Sequence, residues 1–198
     1  MIETIITREI ERESKIGNPC IVAFDLYGIE MAVSTQSEIR FDVKQHVNNT
    51  KYSRMFRSLS RDVSGSSCDI PAGSRILFGY VHQPFPNTLV AVMSFSFANK
   101  NCLEPSAEFY CDYYHHITYL FVKKDYQGIG YGKRLLHRSL NLMRQHNSSR
   151  PVRVQSAGKS IGFFEKQGFK EIGDLLETSA GYESSPLFNT MQNMERNP

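Results

Sequence analysis

The segment ITYLFVKKDYQGIGYGKRLL, from Ile117 to Leu136, decides the fold of this 198-residue chain. A run of β-branched and aromatic residues leads directly into glycines, and apolar residues then recur at spacings of three and four. These patterns predict a strand over His116 to Val122, a tight turn, and a helix over Gly132 to Gln145. A helix that starts directly after such a turn offers an anion site at its N-terminus.

The glycine turn YQGIGYGK, from Tyr126 to Lys133, favours a phosphate ligand for a physical reason. The first N–H groups of a helix have no partner within the helix, and the helix dipole adds positive potential. A P-loop does not fit, since Gln127 and Arg134 stand where glycine and Ser or Thr are needed. A dinucleotide fingerprint fails at Lys133, where it needs its third glycine. The turn matches Q-x-x-G-x-G, and a glycine turn without a ligand stays an alternative.

The charges around this turn are one-sided. The stretch from Tyr126 to Phe164 contains no Asp or Glu, but it contains Lys133, Arg134, Arg138, Arg144, Arg150, Arg153 and Lys159. Such a distribution indicates a polyanionic ligand. Nucleic acid would also explain it, but the segment carries no nucleic-acid motif and its cations lie near the glycine turn. The net charge of the whole chain, +3, is too small to argue for nucleic acid.

The composition is that of a globular protein, with 40% hydrophobic and 22% charged residues. The four cysteines contain no CxxC pair, which favours unpaired thiols in a reducing compartment. The N-terminus is too charged for a signal peptide, and no apolar run approaches the roughly 18 residues of a membrane helix. We therefore expect an intracellular protein, cytoplasmic or nuclear, that does not enter membranes. The sequence does not reveal its oligomeric state.

Working outward from the central segment, strands and helices alternate, which predicts an α/β or α+β sheet domain. The turn HQPFPN joins two of the strand runs into a hairpin. The predicted strands are Cys20–Phe24, Arg75–Val81, Thr88–Phe97, Pro151–Gln155, Phe169–Ile172 and Leu187–Gln192. The other predicted helices are a short charged one over Met1–Arg12, a loosely periodic one over Phe41–Arg61, and one over Lys159–Gln167.

These motifs resemble those of the GNAT superfamily of N-acetyltransferases. The segment Ile117 to Leu136 is similar to the family's acetyl-coenzyme A motif, and VRVQSAGKSIGFFEKQGF, Val152 to Phe169, is similar to its next strand and helix. The resemblance covers about the second half of the chain. It implies one GNAT-type domain over residues 1–198, with a central splayed β-sheet flanked by helices. Within it, residues 1–73 would be a variable acceptor-side part and residues 74–198 the acetyl-coenzyme A core.

The resemblance also implies a cofactor site for acetyl-coenzyme A as co-substrate, without a metal. The pantetheine arm would bond main-chain groups of Leu120, Phe121 and Val122. The turn amides would hold the pyrophosphate, and two residues of the next helix would complete the site. These further predicted residues are Gln127, Gly128, Ile129, Gly130, Tyr131, Gly132, Lys133, Ser160 and Phe164. Phe164 stands where many members have a tyrosine that protonates the leaving thiolate, so water or another hydroxyl must serve, or the thiolate leaves unassisted.

His116 is the candidate catalytic base. An amine acceptor is protonated at neutral pH and must lose a proton before it attacks a thioester, which suits a histidine. His116 lies eleven residues before Gln127, the family spacing of a general base. A structural histidine is the alternative, and His115 would face the other way on a strand. A metal site with Cys111 is disfavoured, because Cys111 and His115 would lie ~13 Å apart along a strand and zinc needs ligands at ~2 Å.

The sequence thus predicts acetyl transfer from acetyl-coenzyme A to a primary amine, without a covalent enzyme intermediate. A non-catalytic acyl-coenzyme A-binding module is the first alternative, and a nucleic-acid-binding protein is the second. The acceptor stays open between a protein amine and a small amine. An aromatic run either lines an acceptor pocket or packs the strand, and its members are Phe109, Tyr110, Tyr113, Tyr114 and Tyr119.

Overall fold

A computed structural model describes residues 23–24, 30–31, 39–44, 50–82, 87–177 and 190–198. The chain divides into two compact units, Met1–Ser37 and Glu38–Pro198. In the first unit, strands β1 (Ala23–Phe24) and β2 (Glu30–Met31) pair antiparallel. The strand predicted over Cys20–Phe24 is observed at its last two residues. The rest of it and the helix predicted over Met1–Arg12 lie outside the described residues.

The second unit contains a mixed sheet and three α-helices among its described residues. The strands are β3 (Arg40–Lys44), β4 (Arg75–Val81), β5 (Thr88–Ser96), β6 (His115–Val122), β7 (Val152–Ala157), β8 (Lys170–Glu171), β9 (Leu176–Glu177) and β10 (Thr190–Arg196). The α-helices are α1 (Thr50–Ser64), α2 (Tyr131–His146) and α3 (Ile161–Glu165), and short 3-10 helices span Lys124–Tyr126 and Gly158–Ser160. None of the described helices is long and apolar enough to cross a membrane.

The strand order is β3-β4-β5-β6-β7-β10-β8, and β9 pairs with β10. The hairpin of β4 and β5 is confirmed, with Val81 opposite Thr88. The helix predicted over Phe41–Arg61 is wrong in its first part, where β3 pairs antiparallel with β4. Phe41 and Val43 lie two residues apart and share one face of this edge strand, which is the spacing of a strand and not of a helix. The strand predicted over Leu187–Gln192 begins at Thr190 among the described residues.

The sheet is covered on both faces, because apolar residues stand on alternating sides of its central strands. On one face Leu77 and Val81 of β4 pack into a cluster with α2 and α3. On the other, Ile76, Phe78 and Tyr80 pack against α1. We call these the α2 face and the α1 face. The division at residue 73 stays a prediction, although β3 and α1 belong to the same unit as the later strands.

Two irregularities at the middle of the sheet shape the site. Strands β6 and β7 run parallel but pair only from His115 to Ile117, opposite Val152 to Val154, and then they diverge. This divergence agrees with the predicted splayed sheet. In addition, the register between β5 and β6 shifts after Ser94, which leaves Thr118 as an extra residue in β6. Such a bulge re-aims the side chains that follow it.

Candidate active site

A cavity of about 990 Å³ occupies the gap between the diverging strands. Its walls come from β6 and β7, from the glycine turn, from α3 and from three distant segments, represented by Val63, Tyr110 and Met191. Cavities of this size hold cofactor-sized molecules. The gap exists because β6 and β7 stop pairing after Ile117 and Val154. Beyond that point, the main-chain groups of the two strands face each other across open space.

The glycine turn forms one end of this cavity. Gly128 and Gly130 have φ angles of +77° and +92°, which glycine adopts without strain and which side-chain-bearing residues rarely adopt. Gly130 is the N-cap residue of α2, and this helix start has no side-chain cap. The first N–H groups of the helix, such as those of Gly132 and Lys133, therefore lack the side-chain acceptor that a Ser or Asp cap supplies. That arrangement suits an anion.

The main-chain groups of β6 face the gap alternately. The Lys123 N–H donates to the carbonyl of Val90 on β5 at 2.9 Å. Since antiparallel partners alternate between bonded and non-bonded pairs, Phe121 bonds toward β5, whereas Leu120 and Val122 face the gap. The structure therefore brings two of the three predicted pantetheine positions to the gap through their main chain. The Gln127 side-chain amide donates to the Val122 carbonyl at 2.8 Å, which ties the turn to the strand end.

All the predicted cofactor residues except Ile129 line the cavity. Ile129 is 39% exposed and is not among the residues that line the cavity. Phe164 is 5% exposed and packs edge-on against Phe163 and Phe169, so it closes the wall as a core residue. Phe163 lies beside Gly132, where an added Cβ would meet its ring at 3.7 Å.

Several cavity residues were missed at the level of sequence. Lys159 is one of the cations of the acid-free segment and Lys124 lies two residues before that segment, so their charge is the signal that could have assigned them to the site. The alternation of side chains along β7 is enough to assign Gln155 to the cavity wall once the position of the cavity is known. Val63 lies in the last turn of α1 and Cys68 lies four residues after the helix ends. Only tertiary packing brings these two residues to the cavity.

His115 is fully buried and both of its ring nitrogens are bonded. Nδ1 accepts from the Ala98 N–H at 3.0 Å, and Nε2 donates to the Asn147 carbonyl at 3.0 Å. Burial lowers the pKa of His115 below its ordinary 6.5, although the bond to Asn147 acts in the opposite direction. Its neutral ring joins the end of β5 to the loop after α2, which is a structural role.

His116 faces the other side of the sheet and is 8% exposed. Its Nε2 donates to the Cys111 carbonyl at 2.9 Å, and its Nδ1 has no hydrogen-bond partner among the described residues. Burial lowers the pKa of His116, so the ring is neutral at pH 7 and Nδ1 carries a lone pair. His116 does not line the cavity itself, but its ring lies 5.6 Å from that of Tyr110, which does.

The described residues contain no group of three His, Cys, Asp or Glu side chains placed to hold a metal. Cys68, Cys102 and Cys111 are free thiols, and Cys20 lies outside the described residues. The aromatic run divides between two roles. Tyr110 and Tyr119 line the cavity, whereas Phe109, Tyr113 and Tyr114 pack around Arg153 and Arg150.

The fold is one that solved N-acyltransferase structures share. A model of the GNAT acetyltransferase domain matches residues 106–181, so this part of the chain is similar to that domain. No curated protein sequence matches the chain.

Solved structures with the same fold are distant in sequence. An acyl-CoA N-acyltransferase from Pseudomonas aeruginosa is 13% identical, with a TM-score of 0.58, over 80% of this chain and 99% of that one. Escherichia coli ElaA is 16% identical, with a TM-score of 0.54, over the same shares of the two chains. An Arabidopsis thaliana protein in complex with the bisubstrate analogue CoA-Ac-MVNAL is 17% identical, with a TM-score of 0.54, over 78% and 97%. These identities establish a shared fold only.

Proposed function

We propose that this chain transfers the acetyl group of acetyl-coenzyme A to a primary amine by direct attack. The observation that carries the proposal is the cavity at the divergence of β6 and β7, with an uncapped helix start at one end. The coenzyme A analogue held by the Arabidopsis neighbour supports the choice of cofactor.

The residues present suit the cofactor. Its phosphates would meet the N–H groups at the start of α2 and the ammonium groups of Lys124, Lys133 and Lys159, all of which line the cavity. Its pantetheine amides would bond the main-chain groups of Leu120 and Val122 that face the gap. Because β7 has moved away, these groups have no strand partner on that side.

In the transfer, the amine nitrogen forms a bond to the acetyl carbonyl carbon, the carbon–sulfur bond breaks, and the bonded nitrogen releases its surplus proton to solvent. Before this attack, the ammonium form of the acceptor must lose one proton to become the free amine. We assign that proton to Nδ1 of His116, which is neutral and carries an unpaired lone pair. Since His116 does not border the cavity, we propose that a water molecule beside Tyr110 relays the proton. The thiolate leaves as the anion of a thiol with pKa about 8.5 and takes its proton from solvent, since Phe164 has none to give.

The test is a thiol-release assay with acetyl-coenzyme A across a panel of amines, run beside a thermal-shift measurement with coenzyme A. We expect thiol release with at least one amine and a higher melting temperature with coenzyme A, because a ligand bound only to the folded state stabilises it. Gly130→Asp should abolish the shift by placing a carboxylate and a strained backbone at the phosphate position. A thermal shift without transfer to any amine would instead favour a non-catalytic binding module.

A further inference from the structure

The cavity passes through the sheet and opens on both of its faces. Leu120 and Val122 of β6 belong to the cluster on the α2 face, whereas Tyr119 and Phe121 belong to the cluster on the α1 face. All four line the same cavity. A cavity bordered from both sides of a strand must run past its edge, so the gap connects two mouths.

The two mouths have different chemistry. The α2 face carries the glycine turn with its uncapped helix start and three lysines. The α1 face carries what we call the acceptor mouth, which consists of Val63, Cys68, Tyr110, Tyr119, Gln155 and Met191. Among the described residues, the acceptor mouth contains no Asp, Glu, Lys or Arg.

The titratable groups of the acceptor mouth are also uncharged at neutral pH. Desolvation in the cavity wall raises the pKa values of the Cys68 thiol and of the Tyr110 and Tyr119 phenols, although Tyr110 as a whole residue is 60% exposed. The Tyr110 hydroxyl donates to Gln155 Oε1 at 3.3 Å, and the amide of Gln155 donates to Asn193. The polar groups here are therefore largely engaged with one another.

Two carboxylates in the segments that border this mouth are paired, whereas those of Asp62, Glu108 and Asp112 are not among the residues that line the cavity. Asp69, which follows Cys68, receives a hydrogen bond from Arg57 Nε at 2.7 Å. Glu195 of β10 receives one from Arg153 Nε at 2.8 Å. A second positive charge on an acceptor would therefore enter a mouth whose described residues offer no carboxylate to balance it, and an unpaired charge removed from water is costly.

On the basis of the proposed function, we infer that the acceptor is a primary amine with an aromatic or branched apolar group within a few bonds of its nitrogen. The apolar group would rest against Val63, Met191 and the Tyr110 and Tyr119 rings, where burial is favourable. The single ammonium group, before it loses its proton, would meet the tyrosine ring faces. A polyamine or a lysine within a basic peptide does not fit these surroundings.

The direct test compares kcat/KM for acetyl transfer to four amines: 2-phenylethylamine, a pentapeptide with N-terminal phenylalanine, spermidine, and a lysine-rich peptide with a blocked N-terminus. We expect either of the first two to exceed the last two by roughly 10- to 100-fold, the range that apolar pocket contacts provide. Which of the first two is faster distinguishes a small amine from a protein N-terminus. Faster transfer to spermidine or to the lysine peptide overturns the inference and leaves the proposed function standing.

Variants locate the preference in the acceptor mouth. Val63→Glu should raise kcat/KM for spermidine relative to 2-phenylethylamine, because it supplies the missing carboxylate. Tyr110→Ala should lower kcat/KM for the aromatic amine more than for spermidine. Leu103→Ala is the control, since Leu103 is 78% exposed and outside the cavity, and it should change neither ratio. An unchanged ratio in both test variants overturns the inference, whereas no transfer to any amine overturns the proposed function with it.

Discussion

His115 and His116 are adjacent in sequence and buried to a similar degree, yet the structure uses them differently. His115 points to the α2 face and has both ring nitrogens bonded to main-chain groups. His116 points to the α1 face, next to the acceptor mouth, and has one ring nitrogen without a partner. Buried polar atoms are nearly always satisfied, and the exception at His116 agrees with its proposed role as a base.

The difference teaches that residue type and burial do not separate a structural histidine from a reactive one. Burial lowers both pKa values, so both rings are neutral at pH 7. The two histidines differ in whether a ring nitrogen keeps a lone pair without a hydrogen-bond partner, and in the face of the sheet to which the ring points. The predictions below are arranged to break or sharpen this contrast.

The largest effect should follow from His116→Ala. We expect kcat to fall by about 10²- to 10⁴-fold, because the acceptor loses its base. Coenzyme A affinity should be unchanged, and the loss should shrink at high pH, where more of the amine is already deprotonated. Steady-state kinetics from pH 6 to 10 measure this. Full activity at pH 7 in a normally folded variant would remove His116 from the mechanism.

His115→Ala should show the reverse pattern. The Ala98 N–H and the Asn147 carbonyl would lose their partner in the interior, so the free energy of unfolding should fall by about 2–4 kcal/mol. The kcat of the folded fraction should stay within about twofold, since no mechanistic role is lost. Urea denaturation measures the first quantity. His137→Ala is the matched control, because that side chain is exposed on α2 and its loss should cost about 0.5 kcal/mol or less.

The pH dependence of stability should depend on the same pair. Their pKa values are lower in the folded than in the unfolded chain, so below pH 6.5 the unfolded chain binds protons first. Stability should therefore be fully present above about pH 6.5 and fall as the pH drops toward the folded pKa values, by at most about 1.4 kcal/mol per pH unit for each histidine. His115→Gln should make the decline shallower. Denaturation midpoints at pH 5, 6 and 7 decide the matter, and equal slopes in both proteins would contradict it.

The smallest effect should follow from Tyr110→Phe, which keeps the ring beside His116 and removes only the hydroxyl. The lost bond to Gln155 is exposed and 3.3 Å long. We expect a change of about 0.5 kcal/mol or less in stability. A large fall in kcat would instead mean that the hydroxyl takes part in proton transfer and that the contrast between the histidines includes a third residue.

The parts of the fold that the sequence predicted well are those decided by local patterns. Two strand runs with a turn between them predicted β4 and β5, and the glycine turn with its following periodicity predicted α2 to within one residue at each end. The strand β3 was missed, since a short edge strand carries few apolar positions and its pairing is decided by β4.

The site divides in the same way. The predicted residues of β6 and of the turn, except Ile129, line one cavity, because a strand–turn–helix unit positions its own main chain. Val63, Cys68 and Met191 had no local signal, since they come from segments distant in sequence. Ile129 lies within the turn but not in the cavity lining, and no local pattern in the sequence separates it from its neighbours there.

The bulge at Thr118 adds one residue to a strand whose side chains otherwise alternate between the two faces of the sheet. Ile117 and Tyr119 are two positions apart, and a regular strand would place both on one face, yet they belong to opposite clusters. Substitution of Thr118 keeps the number of residues in β6 and therefore leaves each later side chain on its present face of the sheet. Its deletion would exchange the two faces for every later residue of β6 and turn the aromatic rings toward the phosphate end and the aliphatic side chains toward the acceptor. In β6, therefore, the number of residues is more constrained than the identity of the residue at position 118.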